Sequence, residues 1–345
     1  MTTRRTLIGL LGGVALAGVM ATGAVAQEVT LKLHQFLPAQ ANVPKLVLDV
    51  WADRIEEASD GRIEIQRFPS MQLGGTPPQL IDQAIDGVAD IVWGVNGFTP
   101  GRFPRTEVFE LPFFTTDAAS ASSAYWQMFE THMADTDFQD LKILGTWVHG
   151  PGMLHTNRPV ATPADMSGLK VRGASRMVTQ LLDELGATSV GMPVTSIPES
   201  LSKGVIDGAA IPWEVTTALK VAELVDNHTE FAGPALYNVT FVLAMNKDSY
   251  ESLPDDLKAI IDANSGHDFS VFAGTTQASA DGPARQLAAE RGNNIITISA
   301  EETARWAEIA QPVYDKWVAD MDSQGIDGQA LIDEARSLME AYASN

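Results

Sequence analysis

The order of predicted elements in the first hundred residues constrains the fold more than any other feature of this sequence. Residues 29–34 and 63–67 alternate between apolar and polar side chains, as half-buried strands do, and residues 88–93 form a short apolar run. Between these strands lie a helical pattern over residues 43–58 and a second helix that ends at Ile85. Strands that alternate with helices predict a mostly parallel sheet covered by helices.

The same kind of pattern returns in the second half of the chain. Further strands are predicted over residues 141–148, 169–172 and 241–246, with helices over residues 177–185 and 198–203 and a mainly helical chain after residue 254. Two stretches of the chain resemble each other, residues 87–94 (GVADIVWG) and 204–214 (GVIDGAAIPWE). Each runs from a glycine through an aspartate to a tryptophan, and this repetition predicts two similar halves. No flexible linker separates them, so we expect strands to cross between the halves.

The first 26 residues have the features of a secretory signal peptide. Arg4 and Arg5 precede an apolar stretch over residues 7–21, and a small-x-small site predicts cleavage after Ala26. The stretch is too short and too rich in glycine for a stable membrane span. The paired arginines also fit a twin-arginine signal, although the general secretory route is the simpler reading. The sequence thus predicts a free exported protein, located in the periplasm.

Composition excludes several classes of site. The chain contains no cysteine, which removes disulfides, iron–sulfur clusters and thiolate zinc sites. Its net charge of −21 disfavours nucleic acid and anionic membranes as partners. The sequence has no G-x-S-x-G elbow and no phosphate-binding loop, and its six histidines lack metal-ligand spacing. We therefore expect no cofactor and no metal. The missing motifs make an enzyme less favoured without excluding one.

Several short motifs resemble those of the DctP-type solute-binding proteins of tripartite ATP-independent periplasmic (TRAP) transporters. They are FPSMQLGG (68–75), FELPF (109–113), NRPV (157–160), DMSGLKVR (165–172), LGA (185–187), LSKGVIDG (201–208) and LP (253–254). The order of the central motifs is fairly specific, and the resemblance covers nearly all of the chain after the leader.

The resemblance implies an α/β protein with the two-lobed periplasmic-binding-protein (Venus-flytrap) fold, type II-like. Crossing strands and a long helix would join its lobes. Lobe I would comprise residues 27–147 plus about 238–270, and lobe II residues 148–237 plus about 271–345. Such a receptor would close by a hinge motion on an organic acid. It would then deliver the acid to a membrane permease of two subunits, without catalysing a reaction and without inserting into the membrane itself.

Arg172 is the principal candidate for ligand binding. It ends a predicted strand, and open α/β sheets bind ligands at the carboxyl ends of their strands. Its planar guanidinium matches a carboxylate. From the residues alone, a structural partner for Arg172 is the somewhat stronger alternative, but the resembling family places its carboxylate-binding arginine here. The chain departs from the family pattern at Gly152, where many members have another arginine, and at Ala210 and Ile211, where many have an acid and an amide.

Other candidates follow strand ends or begin a helix. The aromatic ones are Trp93, Phe98, Trp147 and Trp213; the polar ones are His34, Gln35, Asn96, His149 and Glu214; Gly75 and Thr76 open a helix. For each tryptophan alone, core packing is the likelier role. One arginine among several rings favours a monocarboxylate with an apolar or aromatic body. A sensor subunit for an organic acid and an exported enzyme acting on an acid are the alternatives.

Overall fold

The computed structural model describes residues 27–344, so the predicted signal peptide and its cleavage site lie outside the described residues. Eleven strands in this part of the chain form two separate sheets. The strands are β1 (Val29–His34), β2 (Ile63–Phe68), β3 (Ile91–Val95), β4 (Leu141–Val148), β5 (Gly152–Thr156), β6 (Lys170–Gly173), β7 (Thr188–Gly191), β8 (Gly208–Pro212), β9 (Asn227–Phe231), β10 (Thr240–Asn246) and β11 (Asn294–Ile298).

Twelve α-helices are described beside short 3-10 and π turns. They are α1 (Asp49–Ala58), α2 (Leu80–Ile85), α3 (Ala118–Met128), α4 (Arg176–Glu184), α5 (Ile197–Ser202), α6 (Trp213–Leu219), α7 (Lys247–Glu251), α8 (Asp255–Ala263), α9 (His267–Ser279), α10 (Asp281–Glu290), α11 (Ala300–Ser323) and α12 (Gly328–Ala343). Within residues 27–344, no helix is both long and apolar enough to cross a membrane.

Both sheets are mixed, and each contains the same parallel unit. The first sheet has the order β2-β1-β3-β10-β4, and the second has the order β11-β9-β5-β8-β6-β7. In each, the first strand of a β-α-β-α-β unit lies between the other two, as β2-β1-β3 and as β7-β6-β8, and an antiparallel strand follows. The predicted similarity of the two halves is confirmed by this topology.

One side-chain contact recurs in both units. Asp90 Oδ2 accepts a hydrogen bond from the backbone N–H of Lys32 at 2.8 Å, and Asp207 Oδ2 accepts one from Lys170 N–H at 2.9 Å. Each aspartate follows a turn between helix and strand, so it ties the third strand of its unit to the first. The pair explains why both GV-x-D stretches end in strands that lie at the centre of their sheets.

Helix α4, which follows β6, determines where the chain leaves the second sheet near Arg172. Ser175 caps α4, because its hydroxyl accepts from Val178 N–H, and buried apolar residues at helical spacing fix the helix on the sheet. Gly186, with φ of 88°, lies just beyond its end. The chain therefore leaves the sheet after Gly173, one residue beyond Arg172.

The chain crosses between the sheets on two short adjacent segments, and a third time through helices α7 to α10, which join β10 to β11. Three residues join β4 to β5, and residues 232–239 join β9 to β10. The two crossings are bonded to each other, since Gly152 N–H donates to Tyr237 O at 3.0 Å and Asn238 Nδ2 donates to His149 O at 2.6 Å. These hydrogen bonds hold the two short crossings side by side.

The C-terminal helices contact both halves of the molecule. Helix α11 packs on α4 beside the second sheet, and α12 packs on α3 beside the first. His132 and Glu334 join α12 to the first half at 2.7 Å. The predicted lobe boundaries stay a prediction, whereas the crossing strands and the long helix are both present.

Candidate ligand-binding site

A cavity lies between the two sheets, at the carboxyl ends of their parallel strands. It is lined from the first half by Phe36, Trp93 and Phe98, from the crossings by His149, Tyr237 and Val239, and from the second half by Arg172, Ile211, Pro212 and Glu214; Phe241 and Gln277 complete the polar and aromatic wall. The structure thus brings together five of the predicted residues: Trp93, Phe98, His149, Arg172 and Glu214.

Arg172 is buried without an acidic partner. Its exposed fraction is 2%, and it donates from Nε to Met192 O at 2.9 Å and from Nη1 to Ala210 O at 3.1 Å. No carboxylate of residues 27–344 lies within 4 Å of it, and its Nη2 donates to none of these residues. Burial lowers the pKa of Arg172 to about 10, so the side chain remains a cation at neutral pH. The unshared charge therefore favours an anionic ligand.

Aromatic rings form one continuous wall of the cavity. Phe36 stacks on Trp93 with ring centroids 4.4 Å apart, and Trp93 stacks on Phe241 at 5.6 Å. Phe98 meets Phe36 edge to face at 5.9 Å. Such a wall offers a flat apolar surface to a ligand ring.

The carboxyl group of Glu214 and the amide group of Gln277 form another part of the cavity wall. Glu214 Oε1 accepts from Gln277 Nε2 at 2.8 Å, and Gln277 Oε1 accepts from the indole of Trp147 at 2.8 Å. Burial raises the pKa of Glu214 to about 7, and the charge of nearby Asp281 adds to the rise. Glu214 is therefore partly protonated near neutral pH, which reduces its repulsion of an anionic ligand.

His149 bonds to the main chain of both crossing segments through its two ring nitrogens. Its Nδ1 is bonded to Gly150 O, and its Nε2 accepts from Val239 N–H at 3.2 Å. Burial lowers the pKa of His149 to about 4, so the ring is neutral. It therefore shapes the cavity without carrying charge into it.

Two of the predicted tryptophans lie elsewhere. Trp147 packs behind Trp93, with ring planes 5° apart and centroids at 6.4 Å, and so supports the wall without lining it. Trp213 points into a separate cluster, where it meets His155 at 4.9 Å and His228 at 4.8 Å. The aspartates of the two repeats explain the difference, because Trp93 lies three residues after Asp90 and Trp213 six after Asp207.

The polar candidates of the first half are engaged outside the cavity. His34 Nδ1 bonds to Gln83 Oε1 at 2.7 Å. Gln35 bonds back to the main chain two residues later. Asn96 donates to the hydroxyl of Tyr125 at 2.6 Å. These side chains therefore hold strand ends and loops of the first half.

The predicted helix start lies on the surface. Gly75 is exposed with φ of 82°, and Thr76 donates to Gln79 Oε1 from both its N–H, at 2.9 Å, and its hydroxyl. A capping box thus forms here, as the proline-rich turn predicts, but its donors are used within the turn.

Four aromatic or polar lining residues are missed by sequence reasoning. They are Phe36, Tyr237, Phe241 and Gln277. Phe241 lies within an apolar strand and is indistinguishable from core by pattern, while Gln277 lies on a helix with no motif. The only available signal is the position of Phe36, directly after a predicted strand end.

Comparison with solved structures gives close matches over about nine-tenths of the chain. A TRAP solute-binding protein from Rhodoferax ferrireducens T118, in complex with copurified benzoate, is 49% identical with a TM-score of 0.90, over 91% of this chain and 98% of that one. A marine metagenome TRAP solute-binding protein specific for aromatic acid ligands, with 3-hydroxybenzoate, is 41% identical with a TM-score of 0.90, over 92% and 99%. One from Bordetella bronchiseptica with bound mandelate is 27% identical with a TM-score of 0.84, over 91% and 99%.

The sequence profile of the bacterial extracellular solute-binding proteins, family 7, known as DctP, matches residues 35–320. With the structural matches, it confirms the predicted two-lobed fold and the predicted role as a binding protein rather than an enzyme. The chain belongs to the DctP family of TRAP solute-binding proteins.

Proposed function

We propose that this receptor binds an aromatic monocarboxylate of the benzoate class in the cavity between its sheets. The observation that carries the proposal is the buried guanidinium of Arg172, which has backbone acceptors on one side and no carboxylate partner among the described residues. A buried charge of this kind is stabilised by a ligand of opposite charge. The ligand carboxylate would occupy the Nη2 side of the guanidinium.

The shape and polarity of the cavity support an aromatic body. Its wall of Phe36, Trp93 and Phe241 suits a planar ring. Two relatives, 49% and 41% identical, contain benzoate and 3-hydroxybenzoate. A second carboxylate on the ligand would have no further arginine or lysine in the lining and would meet Glu214. This arrangement disfavours dicarboxylates.

Isothermal titration of the protein that starts at Gln27 tests the proposal. We expect benzoate to bind, cyclohexanecarboxylate to bind more weakly, and succinate to give no heat. Arg172→Met should weaken benzoate roughly 100-fold or more, as expected when one partner of a buried charge pair is removed. Arg158→Met is the matched control, because Arg158 also donates to two backbone carbonyls, those of Asp165 and Ser167, but is exposed.

Two results would contradict the proposal. If benzoate binds Arg172→Met as tightly as the unchanged protein, the carboxylate is held elsewhere. If succinate binds and benzoate does not, the aromatic assignment is wrong while the receptor class remains. Melting temperatures of both variants without ligand show whether each is folded, and a bound acid raises the melting temperature by mass action.

We also propose that the receptor works in the periplasm, after cleavage behind Ala26, and hands its ligand to a TRAP permease of two membrane subunits. Family membership and the leader-like residues 1–26 support this. Cells that express the permease should accumulate labelled benzoate only when the receptor is present, and the mass of the periplasmic protein should begin at Gln27. Uptake that is independent of the receptor would favour the sensor alternative.

A further inference from the structure

Tyr237 has a buried hydroxyl without a hydrogen-bond partner. It lies in the crossing between β9 and β10, is 1% exposed, and lines the cavity. Within residues 27–344 its Oη meets no donor or acceptor. A buried polar group left in this state destabilises the fold, so an acceptor brought by a ligand would stabilise it.

Gly152 makes room for the ring. A Cβ at this position would lie 2.4 Å from Tyr237 Cε1 and 2.6 Å from its carbonyl oxygen, so any other residue would displace the tyrosine. The two residues are also joined by the hydrogen bond from Gly152 N–H to Tyr237 O. The tyrosine therefore occupies the space that a side chain at position 152 would fill.

The same strand end holds Arg172. In the pairing of β5 with β8, Gly152 lies opposite Pro212, and the carbonyl of Ala210, two residues earlier, accepts from Arg172 Nη1. Both Arg172 and Tyr237 line the cavity there. Burial raises the pKa of Tyr237 above its usual value, although the charge of Arg172 opposes the rise, so the hydroxyl keeps its proton. It is thus a neutral donor beside a cation.

The other polar groups near this corner are already engaged. His149 uses both ring nitrogens on the main chain, and Gln277 bonds to Glu214 and Trp147. The indole N–H of Trp93, in the aromatic wall, also lacks a partner among the described residues, and at this corner Arg172 Nη2 and Tyr237 Oη are left as open donors. A carboxylate accepts hydrogen bonds on both of its oxygens, so one such group can satisfy both donors.

We propose that Tyr237 is a second carboxylate-binding residue, and that its hydroxyl and the Arg172 guanidinium share the carboxylate of the aromatic ligand. The inference rests on the proposed function, whose ligand supplies the carboxylate. The neutral donor adds affinity and orientation without a second positive charge, and so the site selects a single carboxylate joined to an apolar body.

Tyr237→Phe tests this inference because it removes only the hydroxyl. We expect the benzoate dissociation constant to rise about 10-fold or more, the range for a hydrogen bond to a charged group. The melting temperature without ligand should stay the same or rise, because an unpartnered polar group is removed from the interior. Tyr314→Phe is the matched control, since the Tyr314 hydroxyl donates to Pro112 O at 2.7 Å outside the cavity. It should lower the melting temperature and leave benzoate affinity unchanged.

Benzamide, which has the same ring without the charge, separates a direct contact from a structural role. If Tyr237→Phe lowers the ligand-free melting temperature and weakens benzoate and benzamide equally, Tyr237 only shapes the cavity and the inference is wrong. It is equally wrong if the benzoate constant changes less than twofold while Arg172→Met abolishes binding, and the proposed function then stands. If the unchanged protein does not bind benzoate, both the proposed function and the role inferred for Tyr237 are wrong.

Discussion

Arg172 and Glu214 show how burial acts oppositely on a cation and an acid in one cavity. Burial lowers the pKa of Arg172 only to about 10, so it stays charged, whereas burial raises the pKa of Glu214 to about 7, where it is half protonated. The cavity therefore contains one side chain that stays positively charged and one acid whose protonation changes near neutral pH. This difference suits an anionic ligand better than a cationic one.

Glu214 should lower the stability of the ligand-free protein as the pH rises. Its pKa is 4.5 as a model value and about 7 in the fold, so the native state binds more protons between these values. The unfolding free energy then falls as the pH rises through this window. Glu214→Gln keeps an acceptor for Gln277 and removes the buried charge. We expect it to be about 2–3 kcal/mol more stable than the unchanged protein at pH 8, and equal to it at pH 4.

Chemical denaturation at several pH values measures this difference. Glu308→Gln, at an exposed position on α11, is the control and should change stability little at either pH. The comparison at each pH cancels the contributions of buried groups that do not interact with Glu214, such as Glu110, whose pKa burial also raises to about 7. A constant difference between pH 4 and pH 8 would show that Glu214 does not titrate as its environment indicates.

At the scale of single residues, the sequence predicts Arg172 because a motif and a strand end coincide there. It does not predict Tyr237, which lies in an irregular crossing and acquires its role only because Gly152, 85 positions earlier, has no side chain. Contacts between residues far apart in the chain leave no local pattern.

At the scale of elements, strands that carry an apolar or alternating run are predictable, both at the centre and at the edge of a sheet, and strands without such a run are not. β1, β3, β8 and β10 are largely buried and carry apolar or alternating runs, so their residues show the pattern of a strand. β7 (TSVG) is an edge strand with no buried residue, and β9 (NHTEF) pairs through polar residues. Their strand state comes from their neighbours in the sheet rather than from their own side chains.

The repeated unit also sets which tryptophan lines the cavity. The sequence predicts that two equivalent strands each end in a tryptophan. In the structure, the equivalent positions of the two strands are set by the aspartates that bond to Lys32 and Lys170. Measured from these aspartates, Trp93 corresponds to Ala210, inside a strand, and Trp213 is the first residue of α6. A shift of three residues between a strand and a helix start is enough to direct the two rings to different clusters.

At the scale of the whole molecule, the two halves are in direct contact around the cavity. Arg176, at the start of α4, donates from Nε to Glu107 Oε1 of the first half at 3.1 Å and also pairs with Asp320 of α11. Asn42 Nδ2 of the first half donates to Glu214 O at 2.8 Å. These contacts are those of a closed receptor, and the hinge motion expected from the fold would break them.

Gly97 offers a way to test closure without touching the ligand. A Cβ at this position would lie 2.4 Å from Ser175 Cβ, across the contact between the halves. Since the φ of Gly97 is not positive, alanine fits its own backbone, and the clash arises only when the halves meet. We therefore expect Gly97→Ala to fold normally but to close poorly. Its benzoate dissociation constant should rise at least 10-fold, because only the closed state forms the complete cavity.

Small-angle scattering with and without saturating benzoate, beside calorimetry, measures both effects. The unchanged protein should become more compact with ligand, whereas Gly97→Ala should stay near its ligand-free dimensions. Gly282→Ala is the matched control, because Gly282 lies on α10 with no positive φ and a Cβ there would have no neighbour within 4 Å. It should bind and compact like the unchanged protein. Full compaction and unchanged affinity in Gly97→Ala would mean that the halves approach each other differently in the bound state.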